Sequence, residues 1–349
     1  MPINAIKLRN FRNHRNFIQE FDPGLNVIIG ANGVGKSNII EAITLLATTK
    51  SFRTSDYRNL IEHNREFAAV EGTIAEHRLK IIISKIGRRF QCDQNPIKTS
   101  SEFIGLFQAV VFTPEDLSFV TSSPKVRRRL IDSELSKVNR QYLKTLTETN
   151  NNLKNRNALL KSDKYDESLL EVLDDRLAEL MSTLANERSV YLQDINELFS
   201  AKFAELNNQS CKVKLVLKSE CQGLAPTDIY QQLKNHRNRD LLTKQTNFGT
   251  HRDDYHIIID DFEAEGYCSQ GQTRMLMIAL KLVIANLVRG KTGQTPVVLL
   301  DDVLSELDLN HQNKLLAQIQ QYQQTIITAT HLDQTLVNLD KKTIEIRRN

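Results

Sequence analysis

Tryptophan is absent from the 349 residues and aromatic side chains make up 6% of them. No dense stacking platform for unpaired bases is therefore expected. Cysteine is scarce as well: Cys92, Cys211, Cys221 and Cys268 are scattered without CxxC or Cys/His spacing, which excludes a disulfide framework and a zinc site and leaves reduced thiols. No run of eighteen apolar residues occurs, and Met1 to Phe21 lacks a basic stretch leading into an apolar one. Neither secretion nor a membrane partner is expected, and the chain is placed in the cytoplasm. Net charge is only +4, so the placement of basic residues matters more than their total. Glycine is sparse too, thirteen in all, yet three stand within six positions at Gly30, Gly33 and Gly35. The length allows one large core or two modest ones.

Those three glycines sit in Gly30-Ala31-Asn32-Gly33-Val34-Gly35-Lys36-Ser37, which fits G-x-x-x-x-G-K-[ST]. Leu25 to Ile29 reads as a short buried strand, and Ile39, Ile40, Ile43 and Leu46 follow at helical spacing. Strand, loop and helix thus occur in the order a phosphate grip needs. Backbone N–H groups surround phosphate oxygens, the helix N-terminus faces the negative charge, Lys36 reaches the β and γ phosphates, and Ser37 serves Mg²⁺. The chain is expected to bind a nucleoside triphosphate.

The partner of such a loop is an apolar strand ending in acids, and Pro296-Val297-Val298-Leu299-Leu300-Asp301-Asp302 fits it. Two adjacent carboxylates repel unless a cation or a proton-transfer role offsets them. Asp301 is read as metal-associated and Asp302 as the water-activating base. Upstream, Ser269-Gln270-Gly271-Gln272 precedes an apolar helix carrying Leu276, Ile278, Ala279, Leu282, Val283 and Leu287. A Ser-x-Gly turn at a helix start is an anion-binding device, and equally a plain helix cap.

The order of P-loop, Ser-x-Gly-Gln, double-acid strand, Ser305-Glu306-Leu307-Asp308 and Thr330-His331 resembles the ATP-binding-cassette class, in its chromosome-maintenance and DNA-repair branch. Within that branch the chain is similar to the RecF family of bacterial recombination mediators. The stretches that carry this likeness are Asn10-Phe11-Arg12-Asn13, Lys50-Ser51-Phe52-Arg53, Val111 to Leu117, Ser123-Pro124 with Arg127-Arg128-Arg129, and His251-Arg252-Asp253-Asp254. The resemblance implies an α/β fold, an ABC-type P-loop ATPase head like those of chromosome-organising proteins, with an inserted, mostly helical second domain. It implies ATP and Mg²⁺ as cofactors, an ATP-dependent homodimer and slow hydrolysis. In such a dimer Ser269, Gly271 and Gln272 of one subunit cover the γ-phosphate held by the other. Arg12 and Asn13 would touch nucleotide, His331 would lie near the γ-phosphate and Asp308 near the opposed site. Glu115 stands where the class usually has a nucleotide-sensing glutamine. The implied role is gap repair and replication-fork maintenance on duplex, gapped and junction DNA, with RecO and RecR as partners and RecA indirectly. A transporter ATPase would hold its signature much closer to the P-loop than the 233 positions between Lys36 and Ser269.

The middle of the chain is strongly helical from Val126 to Leu206, where an antiparallel helical pair broken near Ser162 to Asp166 is expected. An arm of this length is too short for an SMC-like clamp. Lys212 to Lys218 alternates as a strand, and His256 to Ile259 is read as resuming the first domain. The expected boundaries are 1–122 and 245–349 for the ATPase domain and 123–244 for the insertion. Basic runs at Lys7-Arg9-Arg12-Arg15, Arg88-Arg89, Arg127-Arg128-Arg129 and His236-Arg237-Asn238-Arg239 suit phosphate backbones. Arg127, Arg128, Arg129, Arg237 and Arg239 are the candidate DNA contacts.

Overall fold

The structure is a computed structural model that describes residues 1–162, 166–207, 210–332 and 334–347. Contacts divide the chain into two compact units. The first comprises Met1–Ser118, Ala201–Ser210 and Ser269–Asn349; the second comprises Phe119–Ser200 and Cys211–Cys268.

The first unit opens with strands β1 (Ile3–Phe11), β2 (His14–Glu20) and β3 (Gly24–Ile29), then helix α1 (Lys36–Thr48). Strands β4 (Phe67–Ile74), β5 (His77–Ser84), β6 (Gly87–Cys92) and β7 (Asn95–Ile97), the short helix α2 (Ser100–Phe103) and β8 (Ala109–Phe112) follow. Two sheets result. One is antiparallel in the order β2-β1-β4-β5-β6-β7, half buried and alternating: in β1, Ile6 and Leu8 turn inward while Lys7 and Arg9 turn out. The other contains β3 and β8 and is completed by the end of the chain.

α1 is buried on almost every side because Ile39, Ile40, Ile43 and Leu46 meet both sheets. The shared core joins Ile6, Leu8, Val70 and Ile81 of the antiparallel sheet to Ile28, Val111, Leu299 and Ile326 of the parallel one. The helix that follows the phosphate loop is thereby clamped along its length.

The second unit holds α3 (Pro124–Val138), α4 (Arg140–Leu160), α5 (Glu167–Asn207, whose last turns belong to the first unit), β9 (Val213–Lys218) and α6 (Pro226–Thr243). Strands β10 (Asp254–Ile259) and β11 (Phe262–Glu263) and the short helix α7 (Ala264–Tyr267) close it. Three helices stand where a pair was expected. Asn139 leaves helical geometry (φ −134°), ends α3, and its side chain caps α4 by accepting from the Tyr142 N–H. The middle residues 163–165 of the expected polar break lie outside the described residues. α5 is 41 residues long, about 60 Å at the usual rise.

The strand over His256–Ile259 does not resume the first domain. β10 pairs antiparallel with β9 throughout, Tyr255 opposite Leu217 and Ile257 opposite Leu215, so the second unit extends to Cys268. The apolar alternation was visible, but period-2 spacing says nothing of which neighbour a strand chooses.

The chain then supplies α8 (Gln270–Thr292), β12 (Val297–Asp301), α9 (Leu309–Ile319), β13 (Gln324–Ala329), α10 (Gln334–Val337) and β14 (Lys342–Glu345) to the first unit. The second sheet is parallel, ordered β14-β3-β13-β12-β8. β13 separates the phosphate-loop strand β3 from the acidic strand β12. α8 is long and apolar enough by composition to cross a membrane, yet two thirds of its apolar window is buried, as in a core helix.

Candidate nucleotide-binding site

β3 and β12 end at the same edge of the parallel sheet, where the loop 30–35 and the pair Asp301-Asp302 lie beside each other. Gly35 caps α1 at φ 111°, and a Cβ there would fall 2.6 Å from Asn13 Oδ1 and 2.6 Å from His14 Nε2. Only glycine allows that approach. The β1–β2 turn uses it: Asn13 Nδ2 donates to the Val34 carbonyl (3.0 Å), and His14 Nε2 donates to the Gly35 carbonyl (3.1 Å). No side chain caps α1, and while the Asn38 N–H donates to the Gly35 carbonyl (3.0 Å), those of Lys36 and Ser37 are left to an anion.

Lys36 Nζ donates to the carbonyls of Gly30 (2.7 Å) and Ala31 (3.0 Å), which folds the loop around its own cation. Burial pulls the ammonium below the usual lysine range, and Asp302 and Asp301 partly offset this. The positive charge is held close to where a phosphate would sit.

Asp301 is buried at 5% exposure and raised above the usual carboxylate range, first by burial and also by the like charge of Glu115. The Ser37 and Thr328 hydroxyls both hydrogen-bond to it, Thr328 Oγ1 donating at 2.8 Å. A buried carboxylate beside a serine hydroxyl and short of countercharge fits a hard divalent cation with oxygen ligands. Asp302 turns the chain out of the strand at φ 54°, and its N–H donates to the same Thr328 Oγ1 (2.9 Å). One hydroxyl on β13 therefore fixes both acids.

A cleft of about 340 Å³ opens here, lined by Asn13, Gly33, Lys36, Ser37, Asp302 and Thr328, with Asn32, Gly35, Asn38 and Arg53 around them. Arg53 donates to Asn38 Oδ1 (2.9 Å), and Asn38 Nδ2 to Asn13 Oδ1 (2.7 Å). Thr328, His14, Asn38 and Arg53 were not singled out from sequence as site residues. Arg53 lies in a family stretch and could have been; Thr328 depends on β13 lying between β3 and β12, which only the fold reveals.

Other expected residues fall elsewhere. Arg12 does not line the cleft: its guanidinium grips the fully buried Glu41 in a two-pronged pair (2.9 and 2.7 Å) and donates to the Asn59 carbonyl (2.8 Å). It braces α1 against the β1–β2 turn. Ser269 caps α8 in a reciprocal box, its hydroxyl accepting from the Gln272 N–H (3.2 Å) and its own N–H donating to Gln272 Oε1 (3.0 Å). Ser269 and Gly271 are exposed, and neither they nor Gln272 line the P-loop cleft. Arg274, one turn on, pairs with the Glu306 carboxylate and donates to its carbonyl, tying the start of α8 to the turn after β12. Asp308 caps α9, accepting from the His311 N–H (3.0 Å), and exposed His331 shares a hydrogen bond with Thr330 (2.9 Å).

The candidate DNA arginines divide sharply. Arg127 is buried and locked on Asp254 (two contacts of 2.7 Å), and Arg237 pairs with Asp174 (3.0 Å) and Glu167 (3.2 Å). Both arginines already spend their charge on carboxylates of the same chain. Arg128 is half-buried on the Asp253 carbonyl, whereas Arg129 and Arg239 are exposed.

A parallel sheet with a glycine-rich loop at one strand end, two acids at the next strand but one, and a capped Ser-x-Gly-Gln helix define a P-loop ATPase head of the ATP-binding-cassette type. The family model described as RecF/RecN/SMC N terminal domain matches residues 2–348. The "DNA replication and repair protein RecF" of Lachnoclostridium phytofermentans is 38% identical over 97% of this chain and 95% of its own length. The protein of that name from Streptococcus pneumoniae is 36% identical over 95% and 93%. Among solved structures, one described as the recombination mediator protein RecF with ATP superposes with TM-score 0.89 at 32% identity, covering 95% of this chain and 92% of that one. The Smc head domain of Pyrococcus furiosus, at 20% identity and TM-score 0.56, shares the fold alone. The chain belongs to the RecF/RecN/SMC family and, within it, to the RecF proteins of DNA replication and repair.

Proposed function

We propose that the chain is an ATP-dependent, DNA-binding recombination mediator of the RecFOR pathway, in which two heads close on two ATP molecules. RecO and RecR are its partners in this reading, with RecA loaded onto gapped DNA as the downstream event. The observation that carries it is the separation of the two half-sites. The P-loop cleft is lined on one side by Lys36, Ser37 and Asp302, while the Ser269-Gly271 turn is exposed and lines no part of it. Nothing nearer than 3.9 Å opposes a Cβ at Gly271, so another head's phosphate can approach the N-terminus of α8.

Ser37 and Asp301 would hold Mg²⁺, which would neutralise phosphate charge and polarise the γ-phosphoryl group when bound. The chain's own residues do the positioning. Free N–H groups of α1 and the Lys36 ammonium bind the phosphates, Asn13 and His14 hold the loop in shape, and Asp302 orients the attacking water. Hydrolysis should be slow until a second head completes the cage.

Size-exclusion chromatography with light scattering, with and without ATP, tests the reading on wild type and Ser269→Arg. Wild type should dimerise only with ATP. Ser269→Arg should bind nucleotide with near-normal affinity as a monomer, because a bulky cation blocks the opposed cage. Dimers that survive this substitution would refute the composite site.

A further inference from the structure

A second cleft, also about 340 Å³, lies away from the nucleotide site and is lined by Lys7, Arg9, Asn10, Arg15, Asn16 and Arg65. It carries four cations and two amides and not one carboxylate. The sequence offered four basic runs without ranking them, and the structure ranks them by what each cation already holds. Arg12 is on Glu41, Arg88 sits over the Tyr57 ring and donates to the Thr49 carbonyl, Arg127 is on Asp254 and Arg237 on Asp174. Lys7, Arg9 and Arg15 are exposed and have no carboxylate partner among the described residues. Arg65 has only a long contact to Glu62 at 3.5 Å.

Strand pairing holds these cations together. Lys7 and Arg9 project from the open face of β1, and Arg9 stands opposite Asn16 of β2. Glu71, opposite Lys7 on β4, is taken by Lys80 at 3.0 Å and leaves Lys7 unneutralised. Arg9 lies over the Phe67 ring at 5.3 Å, which fixes its direction and covers the aromatic face a base could have stacked on. Unpaired like charges held this close repel one another and persist best where a polyanion settles between them.

We infer that this cleft is the surface that takes the phosphodiester backbone of duplex DNA. The inference rests on the reading of the chain as a protein that binds duplex DNA and adds the place. Lys7, Arg9, Arg15 and Arg65 would each meet a phosphate, and the Asn16 amide would donate to phosphate oxygen or sugar. With no free aromatic face in the cleft, unpaired bases gain nothing there, and duplex is favoured over single strands.

The double variant Lys7→Glu/Arg15→Glu tests it by fluorescence anisotropy on a labelled duplex with ATP at several salt concentrations, alongside affinity for a fluorescent ATP analogue. Duplex affinity should fall at least a hundredfold at low salt, and the slope of log K against log salt should shrink by about 2, close to 0.9 per lost phosphate contact. Nucleotide affinity should not change, which also reports that the head is folded. The milder Lys7→Gln/Arg15→Gln pair should lose affinity in the same direction by a smaller factor. Wild-type binding that both variants keep, with the same salt slope, overturns this cleft and leaves DNA binding intact. The cleft is overturned equally if Arg129→Glu/Arg239→Glu abolishes binding while Lys7→Glu/Arg15→Glu does not. Equal competition by oligo(dT) and duplex overturns the duplex preference, and a wild type that binds no DNA overturns both the cleft and the reading beneath it.

Discussion

Thr328 shows how much one hydroxyl can hold. It donates to the buried Asp301 carboxylate and accepts from the Asp302 N–H, so the oxygen expected at the metal and the base expected at the water share one post. Thr328→Val keeps the shape and removes both bonds. An unsatisfied buried polar group costs about 1–3 kcal/mol, so urea denaturation should report a loss in that range. The ATP hydrolysis rate should fall at least tenfold with nucleotide affinity nearly kept, because the backbone turn carrying Asp302 at φ 54° loses its anchor. Unchanged turnover would mean that β12 alone positions the acids.

At the scale of elements, the site is a strand-loop-helix unit steadied by a hairpin. The β1–β2 turn reaches the loop through Asn13 and His14 and reaches α1 through Arg12 on Glu41. Gly35→Ala probes that contact: it places a methyl group 2.6 Å from two side chains and forces a left-handed φ, worth roughly 1–2 kcal/mol by itself. Calorimetric titration should show ATP affinity reduced tenfold or more, with the circular dichroism of the fold kept. Normal affinity would show that the turn can withdraw freely. The sequence pattern identified strand, loop and helix correctly, since a short buried apolar run gives way to period 3.6 across the glycines. It missed the hairpin's bracing role because Arg12 and Glu41 are 29 residues apart with nothing between them to announce a pair.

Across the whole molecule, the second unit holds buried charge beside its apolar core of Leu153, Leu177, Met181, Ile229 and Leu233. Arg156 has no exposure and bonds Asp174 (2.6 Å) and Asp240 (2.7 Å), fastening α4 to α5 and α6. Arg188 does the same between Asp132 (2.9 Å) and Asp253 (2.6 Å), joining α5 to α3 and the approach to β10. Replacing Arg156 by methionine preserves bulk but strands two carboxylates, and breaking a buried pair costs about 3–5 kcal/mol. Chemical denaturation should show that loss. A change under about 1 kcal/mol would mean that Arg237 and Asn247, which already contact Asp174 and Asp240, satisfy them unaided.

The sequence by itself determined the phosphate loop, the double-acid strand and the Ser-x-Gly-Gln turn, because each is a local pattern in which backbone geometry and chemistry are set by residues a few positions apart. It also determined that two distant segments must meet, since neither half of the site can act alone. Only the tertiary structure decided which strand lies between them, and with it the role of Thr328. It likewise decided that β10 pairs with β9 and that Arg12, Arg127 and Arg237 spend their charge on carboxylates of the same chain while Lys7, Arg9 and Arg15 keep theirs. The physical reason is the same in each case. Strand partners and ion pairs are chosen across long separations by register and burial, and a charge reads identically in sequence whether it faces water or a carboxylate.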